Sequence, residues 1–426
     1  MTEIDAQIRF TADPEAAQRR FDELNEDSDF RNCIDKLNTV QRQGLLGVLG
    51  YSDFLSNYLR RFPESVLEIG EAYSVNPRPA ASADEMRRHK YRELFKLTAR
   101  DLVNQEPYES ILRDTSLLAD EIVRGACSML SGSRSGSPGI CILGMGKLGA
   151  MELNYSSDID LIFVCEELEK DENEVIENLV RTIRKFTRLM EEITGEGFLY
   201  RVDLRLRPWG RSGPLILTID DTENYYSAST EAWERFIWLR ARAIAGQVEV
   251  GNELLRRLEP FVYRKFLSND DLDRFLDIKS EMQMHHKKSG NWNVKQGSGG
   301  IRDIEFFIQL LQIVNACDHS DLKTTTTLDV LQKLRENGFV EDKETEQIRE
   351  SYLFLRRLEN HLQMIDERQT HQLPEEKERR RLIARSMIPV SDTEDALGLF
   401  EEKLALHQAV ARNCFERILP ASHLVT

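Results

Sequence analysis

The sequence predicts an α+β fold that is predominantly helical, with one small mixed sheet between two helical regions. Apolar residues recur at helical spacing through the first ~130 residues and through nearly everything after residue 250. Between these regions lie short apolar runs bounded by glycine and proline, as strands require. The segment SGSRSGSPG, residues 131–139, has the composition of a linker. We therefore expect an N-terminal helical region at 1–130, a mixed unit at 139–246 and a C-terminal helical bundle at 250–426.

Composition limits the class of protein. The chain has 426 residues and a net charge of −16, from 57 basic and 73 acidic residues. We expect no nucleic-acid substrate, because such substrates are held by a broad basic surface. No apolar run approaches the roughly 20 residues of a membrane helix, and the first twenty residues contain no apolar signal core, so we expect a cytoplasmic protein. The six cysteines form no Cys-x-x-Cys pair, which indicates neither zinc nor disulfides.

The organising stretch is GMGKLGAMELNYSSDIDLIFV, residues 144–164. The apolar run 140–143 predicts a strand that leads into a turn and a short helix with the glycines Gly144, Gly146 and Gly149. A second apolar run opens with Ser157, Asp158, Ile159 and Asp160. If this run is a strand, period two places the two aspartates on one face, and Ile159, Leu161 and Phe163 on the other.

This pattern indicates phosphate chemistry. Two carboxylates at the edge of a buried sheet are costly unless a cation lies between them, and the usual cation is Mg²⁺ or Mn²⁺ on phosphate oxygens. The backbone N–H groups of residues 146–149, at the start of a short helix, suit the same phosphates. Asp-x-Asp alone is common as a solvated or calcium-binding motif, but a glycine turn followed by Asp-x-Asp predicts a nucleotidyltransferase. Neither a Rossmann nor a Walker A pattern is present.

The next alternating segment is LYRVDLRLR, residues 199–207, which predicts a core strand. Asp203 lies on its polar face among Arg201, Arg205 and Arg207. We interpret Asp203 as a third metal-binding carboxylate and the arginines as ligands of phosphate oxygens. A solvated edge strand with internal salt bridges fits the same pattern.

Further elements follow in order. A strand is predicted at 214–218, and AWERFIWLRARAIA at 232–245 predicts a helix that ends at Gly246. A glycine-rich loop at 290–300 precedes the helix IRDIEFFIQLLQIV, where Lys295 and Arg302 could close over a nucleotide. An interdomain turn with a charged cap fits those residues equally well. Glu305, on the same first turn, and Glu152 are further accessory candidates. Residues 352–365 predict a helix of the C-terminal bundle, to which we assign no catalytic or binding role.

Five segments carry a family resemblance: GMGKLGAMELNYSSDIDLIF, LYRVDLRLRPWGRSGPLILT, EAWERF, NVKQGSGGIRDIEF and YLFLRRLENHLQMI. They resemble the glutamine synthetase adenylyltransferases, two-headed enzymes of bacterial nitrogen control. These enzymes carry two nucleotidyltransferase units of the DNA-polymerase-β type, each followed by a helical domain. The similarity covers nearly the whole chain and implies a single copy. RPWGRSGPL at 207–215 and the Trp-Glu-Arg at 233–235 are similar to the N-terminal, adenylyl-removing half.

The resemblance implies roles for particular residues. It implies that Asp158, Asp160 and Asp203 are catalytic and bind Mg²⁺ or Mn²⁺, with two ions, and that the glycine turn and Lys147 cradle phosphate. The implied reaction is phosphorolysis: inorganic phosphate attacks the AMP–tyrosine bond of adenylylated glutamine synthetase and releases ADP. The implied partners are glutamine synthetase, the regulatory PII protein and the C-terminal adenylyltransferase half. AMP transfer from ATP to tyrosine, and a non-catalytic nucleotide-binding module, remain alternatives.

Overall fold

The computed structural model describes residues 3–75, 82–103, 106–131, 139–167, 173–228, 233–264, 291–365, 369–388 and 393–417. About 66% of the chain is helical, and a small mixed sheet accompanies the helices, which confirms the predicted class. The predicted linker at 131–139 lies almost entirely outside the described residues.

The N-terminal part is helical, as predicted. Its helices are α1 (Glu3–Ile8), α2 (Pro14–Leu24), α3 (Ser28–Ile34), α4 (Thr39–Leu49), α5 (Asp53–Arg61), α6 (Ala83–Val103) and α7 (Tyr108–Ser131), with a 3₁₀ turn at Pro63–Glu68. Side chains that accept the free N–H groups at helix starts fix several of these bounds. Asn38 and Gln41 form a reciprocal capping box at the start of α4. These helices share one buried core.

The middle part contains the sheet. Its strands are β1 (Ile140–Gly144), β2 (Ile159–Cys165), β3 (Val202–Asp203), β4 (Ile216–Thr218) and β5 (Arg242–Gly246). The strand order is β3-β2-β1-β5, with β1 antiparallel to both β2 and β5. Both β3 and β4 pair with β2 in parallel, β3 beside its start and β4 beside its end. The helices of this part are α8 (Gly146–Gly149), α9 (Asn173–Glu191), α10 (Ile219–Ala228) and α11 (Trp233–Trp238).

Strand β2 separates two hydrophobic cores. Ile159, Leu161 and Phe163 pack in the core that contains the N-terminal helices. Ile162 and Val164 belong to the core that contains the C-terminal helices. The predicted two-residue period of this strand is confirmed.

Two predicted elements were wrong in extent. Residues 242–246 are strand β5 and not the end of a helix, since α11 ends at Trp238 and the following chain pairs with β1. Backbone pairing with β1 here overrides a helix-like apolar pattern. The predicted strand at 199–207 is only the two-residue β3. The Asp203 side chain accepts the backbone N–H of Arg205 (2.8 Å), and this local turn ends the strand.

The C-terminal part is helical. Its helices are α12 (Val248–Val262), α13 (Ile301–Asn315), α14 (Thr327–Glu336), α15 (Asp342–Met364), α16 (Lys377–Met387) and α17 (Thr393–Glu416). Helix α12 packs on β1 and β5, so the predicted boundary at 246–250 falls between elements that contact each other. The three-part division itself stays a prediction. In the described part of the chain, no helix has the length and apolarity needed to cross a membrane.

Candidate nucleotide site

Three predicted carboxylates meet at one end of the sheet. Parallel pairing of β2 with β3 sets Asp160 directly beside Asp203, and neighbouring strands lie about 4.8 Å apart. Asp158 lies directly before the strand, two residues from Asp160, and its charge acts on Asp160. The backbone N–H of Met145 donates to the carbonyl oxygen of Asp160 (2.9 Å), which fixes the glycine turn beside these residues.

The carboxylates influence one another electrostatically. The pKa of Asp160 is raised to about 6, chiefly by burial and also by the charges of Asp203 and Asp158, while Lys295 and Arg302 oppose the shift. Burial also acts to raise the pKa of Asp203, but hydrogen bonds from Arg205 outweigh it and the pKa is lowered. Acidic groups that repel one another in this way are stabilised by a shared cation.

Two of the three predicted arginines pair with these carboxylates. Nε of Arg201 donates to Asp158 (2.5 Å) and Nε of Arg205 donates to Asp203 (2.7 Å). Both arginines remain partly exposed. Arg207 instead donates to main-chain carbonyls within residues 204–214. Its contacts thus build a loop and give no support to a phosphate-binding role. Ser157 lies half-buried directly before Asp158.

The donor set fits a divalent cation. In the described residues no three His, Cys, Asp or Glu side chains are already grouped as a metal site. Asp158 and Asp203 each accept a hydrogen bond from an arginine instead. The described part of the chain provides no hydrogen bond to the carboxylate of Asp160. Gly146 keeps that carboxylate accessible: its φ is +54°, and a Cβ there would lie 2.7 Å from Oδ2 of Asp160. Three carboxylates on one sheet face suit Mg²⁺ or Mn²⁺.

The glycine turn has a packing role as well. A Cβ on Gly149 would lie 1.8 Å from the carbonyl oxygen of Arg240 and 2.5 Å from that of Gly144. Close backbone approach therefore requires glycine at this position, independently of any ligand. The helix α8 that follows β1 is a single turn of four residues.

Lys147 faces the C-terminal helices. Its Nζ donates to Oε2 of Glu359 (2.7 Å), and its side chain is 12% exposed. Burial lowers the pKa of Lys147 to about 7; Glu359 opposes this shift, and the charges of Lys295 and Arg356 add to it. The described contacts of Lys147 are thus interior ones, and phosphate binding by this residue stays a prediction.

The predicted basic loop does reach the carboxylates. The charges of Lys295 and Arg302 both act on Asp160. For the Lys295 ammonium, no hydrogen bond or ion pair is found within the described ranges. Arg302 makes a long contact to Glu305 (3.8 Å), and its guanidinium lies over the ring of Phe306, 5.6 Å from the ring centroid. The loop is held in place by a hydrogen bond from the Val294 N–H to the His371 carbonyl (2.8 Å). Two cations are therefore available opposite the carboxylates.

Sequence reasoning missed the part played by α15. One face of this helix contacts the segment 152–156, which leads into Asp158. Its side chains make a continuous series of contacts: Arg356 with Glu152 and Asn154, Glu359 with Asn154, Asn360 with the N–H of Tyr155, and Gln363 with the N–H of Ser156. Charged residues at helical spacing usually indicate a solvated face, so only the resemblance of this segment to the family could have drawn attention to it.

The accessory candidates Glu152 and Glu305 lie in a buried network behind the carboxylates. Glu152 accepts from Tyr352 (2.6 Å), from the N–H of Thr327 (2.8 Å) and from Arg356 (3.3 Å). Glu305 accepts from Arg240 (2.9 Å), which also donates to Thr327 (2.6 Å). Their contacts are to protein groups, so they support the site from within.

Carboxylates at the end of a small mixed sheet, with a glycine turn beside them and a basic loop opposite, form a site of the nucleotidyltransferase class. The chain belongs to the glutamate-ammonia ligase adenylyltransferase family, whose model matches residues 42–257. A second family model, GlnD PII-uridylyltransferase, matches residues 274–419. The family predicted from the sequence is thereby confirmed.

Similar curated proteins carry the name bifunctional glutamine synthetase adenylyltransferase/adenylyl-removing enzyme. The one from Thioalkalivibrio sulfidiphilus is 36% identical over 83% of this chain and 38% of its own length. Those from Nitrosococcus oceani and Pseudomonas syringae pv. tomato are 33% and 34% identical, over 95% and 90% of this chain and 45% and 40% of their lengths. The chain therefore spans less than half of each of these relatives.

Proposed function

We propose that this chain is an adenylyl-removing nucleotidyltransferase that acts on adenylylated glutamine synthetase. An oxygen of inorganic phosphate attacks the phosphorus of the AMP–tyrosine ester, the bond from phosphorus to the tyrosine oxygen breaks, and ADP and free tyrosine leave. The observation that carries the proposal is the alignment of Asp160 with Asp203, beside Asp158 and opposite Lys295 and Arg302. The name of the curated relatives includes an adenylyl-removing activity.

The residues suit the electrostatic problem of this reaction. Phosphate is already an anionic nucleophile, so no strong general base is needed, but two anions must be brought together. Lys295 and Arg302 lie where they can neutralise those anions. Arg201 and Arg205 can replace their carboxylate partners, Asp158 and Asp203, by phosphate oxygens. The leaving tyrosine has an unperturbed pKa of about 10, so it departs more readily than an alkyl alcohol.

Asp158, Asp160 and Asp203 would hold the divalent cations, Mg²⁺ or Mn²⁺. When bound, such ions neutralise charge on the phosphate groups and assist the leaving oxygen. The glycine turn keeps the Asp160 carboxylate accessible from the side of Gly146. Glutamine synthetase is the proposed protein substrate, and PII and the C-terminal half of a longer polypeptide are the proposed partners.

The choice of the removing half rests on the sequence of the loop after β3. RPWGRSGPL at 207–215 is similar to the adenylyl-removing half, as set out above. AMP transfer from ATP to tyrosine uses the same groups in the opposite direction, and the relatives' name includes that activity too. It is the second candidate function.

The test is an incubation of adenylylated glutamine synthetase with this chain and Mg²⁺, with and without inorganic phosphate. We expect ADP and free tyrosine only with phosphate, and a rate lower by at least about 100-fold in Asp160→Asn. Asp342→Asn, which removes a carboxylate from an exposed helix start, should be unchanged. AMP transfer from ATP to unmodified enzyme would instead identify the other half. Turnover in neither direction would contradict both activities and favour the regulatory module.

A further inference from the structure

The loop at residues 204–214, here the Trp209 loop, has a strained tip. Trp209 adopts a left-handed conformation, with φ 57° and ψ 13°. Within the described residues, only Met151 shares a positive φ without being glycine. Bulky residues persist in this region only when their surroundings impose it, and such strain concentrates at functional sites. The strained residue here carries an indole that faces solvent: Trp209 is 54% exposed.

The Trp209 loop is rigidly built. The Arg207 guanidinium donates to the carbonyls of Leu204 (2.6 Å), Arg211 (3.0 Å) and Pro214 (3.0 Å). A Cβ on Gly213 would lie 1.9 Å from the carbonyl oxygen of Pro208, so the loop closes only with glycine there. Six sequence positions thus contribute to one loop shape, which fixes where the indole lies.

The indole also has a fixed orientation. The Tyr225 ring packs edge-on against it, with ring centroids 4.5 Å apart and planes at 63°. Tyr225 is itself held by a hydrogen bond from its hydroxyl to Glu234 (2.9 Å). A rigid, exposed aromatic surface loses little conformational entropy when a ring binds to it.

The Trp209 loop lies at the rim of the carboxylate site. It leaves the sheet directly after Asp203, and a Cβ on Gly210 would lie 3.6 Å from the carbonyl oxygen of Arg205. Arg211 is exposed, and its charge acts on Asp203. One loop therefore carries an exposed aromatic surface and a guanidinium, beside the carboxylates proposed to hold the divalent cations.

We propose that Trp209 is a ring-binding subsite, on which the aromatic ring of a phosphate ester stacks while its phosphate lies at the cation site of Asp160 and Asp203. This inference rests on the proposed function and adds a residue that selects the substrate. The shared chemistry is an aromatic ring joined to phosphate. The ring has two sources in the reaction, the adenine of the nucleotide and the phenol of the modified tyrosine. Stacking of a base on an aromatic side chain corresponds to roughly 5- to 150-fold in affinity.

The experiment titrates the whole chain, with Mg²⁺ present, with three probes: ADP, phenyl phosphate and ribose 5-phosphate. Trp209→Ala should weaken binding of one ring-bearing probe by about tenfold, and Trp209→Phe should restore most of it. Ribose 5-phosphate, which has no aromatic ring, should bind the variant and the parent chain equally. Weakened ADP binding identifies the adenine as the ring, and weakened phenyl phosphate binding identifies the phenol. Thermal melting checks that each variant is folded.

The matched control is Phe10→Ala, which removes an aromatic side chain of nearly equal exposure (53%) from the turn after α1. It should leave all three affinities unchanged. Equal affinities of the parent chain and Trp209→Ala for both ADP and phenyl phosphate would overturn the subsite while leaving the proposed function intact. If the parent chain binds none of the probes, the proposed function fails together with the subsite.

Discussion

At the scale of single residues, distant neighbours decide what Lys147 does. Its position in the glycine turn predicts a phosphate contact, yet its ammonium contacts Glu359, which lies 212 positions later in the chain. Nothing local in the sequence indicates that partner. Glu359 in turn accepts from Asn154 (2.5 Å) and contacts His371 (2.8 Å). A motif therefore locates the turn, while the fold determines the charge partner of its lysine.

We predict that the two members of this pair differ in their effect on stability. Glu359→Gln leaves the Lys147 ammonium buried without its counter-charge and should cost about 3 kcal/mol of unfolding free energy. Lys147→Met should cost less, because the Glu359 carboxylate keeps Asn154 and His371. Urea unfolding of both variants at pH 6, below the pKa of about 7 of Lys147, measures the difference. A loss in Lys147→Met equal to or larger than that in Glu359→Gln contradicts the prediction.

His407 gives a prediction about pH. Burial lowers its pKa to about 4, and Lys403 adds to the shift; its ring packs on Phe354 and its Nδ1 contacts Ser351 (3.0 Å). In the unfolded chain this histidine has a pKa of about 6.5, so between pH 6.5 and 4 it binds a proton that it does not bind in the folded chain. The contribution of His407 to stability is therefore fully present above pH 6.5 and falls as pH drops toward 4.

His407→Gln should remove that part of the acid sensitivity. Between pH 7.5 and 5, we expect the variant to lose about 1 kcal/mol less unfolding free energy than the parent chain, a figure reduced for partial exposure of the ring. Urea unfolding at the two pH values provides the measurement. Equal losses in the two proteins would assign the acid sensitivity to other groups.

At the scale of elements, local sequence patterns predicted a strand whose own residues show which face is buried. They failed for a strand that forms by pairing with a distant part of the chain. Strand β2 was predictable, because each of its faces packs in a different core. Strand β5 was missed, because its pairing with β1 joins residues about a hundred positions apart. The helix α15 was predicted, but its buried charges were not, since apolar periodicity does not show which charged face has partners.

We predict strong coupling between Glu152 and Arg356 across the contact of α15 with segment 152–156. Both side chains are almost fully buried, so Arg356→Met alone should cost about 3–5 kcal/mol by leaving the Glu152 carboxylate uncompensated. Glu152→Gln with Arg356→Met should cost clearly less than the sum of the single losses. Urea unfolding of the complete double-mutant cycle measures the coupling.

The control for this cycle lies on the same helix. Arg349 is 41% exposed and pairs with Glu109 on α7, so Arg349→Ala should cost no more than about 1 kcal/mol. Additive losses for Glu152 and Arg356 would show that their pairing contributes no coupling energy.

At the scale of the whole molecule, the sheet connects the two hydrophobic cores and the site lies at its end. Helix α15 contacts both the N-terminal helices and the segment that leads into the site. Arg357 and His361 contact Asp101 of α6 (2.9 and 3.2 Å), and Asn360 of the same helix accepts from the N–H of Tyr155 in segment 152–156. The three carboxylates and the basic loop were predictable, since each has a local pattern. Their support by α15 was not, because it depends on contacts between segments about 200 residues apart.

The predicted boundary at 246–250 can be tested by dividing the chain there. A fragment of residues 1–246 lacks α12, whose Val250, Leu254 and Leu258 are buried in the core on one side of the sheet. Leu143 and Ile162 on that side would become exposed, and an exposed apolar sheet face favours aggregation. We expect the fragment to be aggregated or to unfold without cooperativity, as measured by size-exclusion chromatography and thermal melting.

A fragment of residues 1–264 restores α12 and serves as the comparison. Because α12 covers β1 and β5, this fragment should recover part of the cooperativity while remaining less stable than the whole chain, since α13–α17 supply the rest of the same core. A monomeric fragment 1–246 that melts within a few degrees of the whole chain would show that the mixed unit is an independent domain. Aggregation of fragment 1–246 would instead place the domain boundary C-terminal to residue 246, because the sheet that carries the carboxylates would then require C-terminal helices to fold.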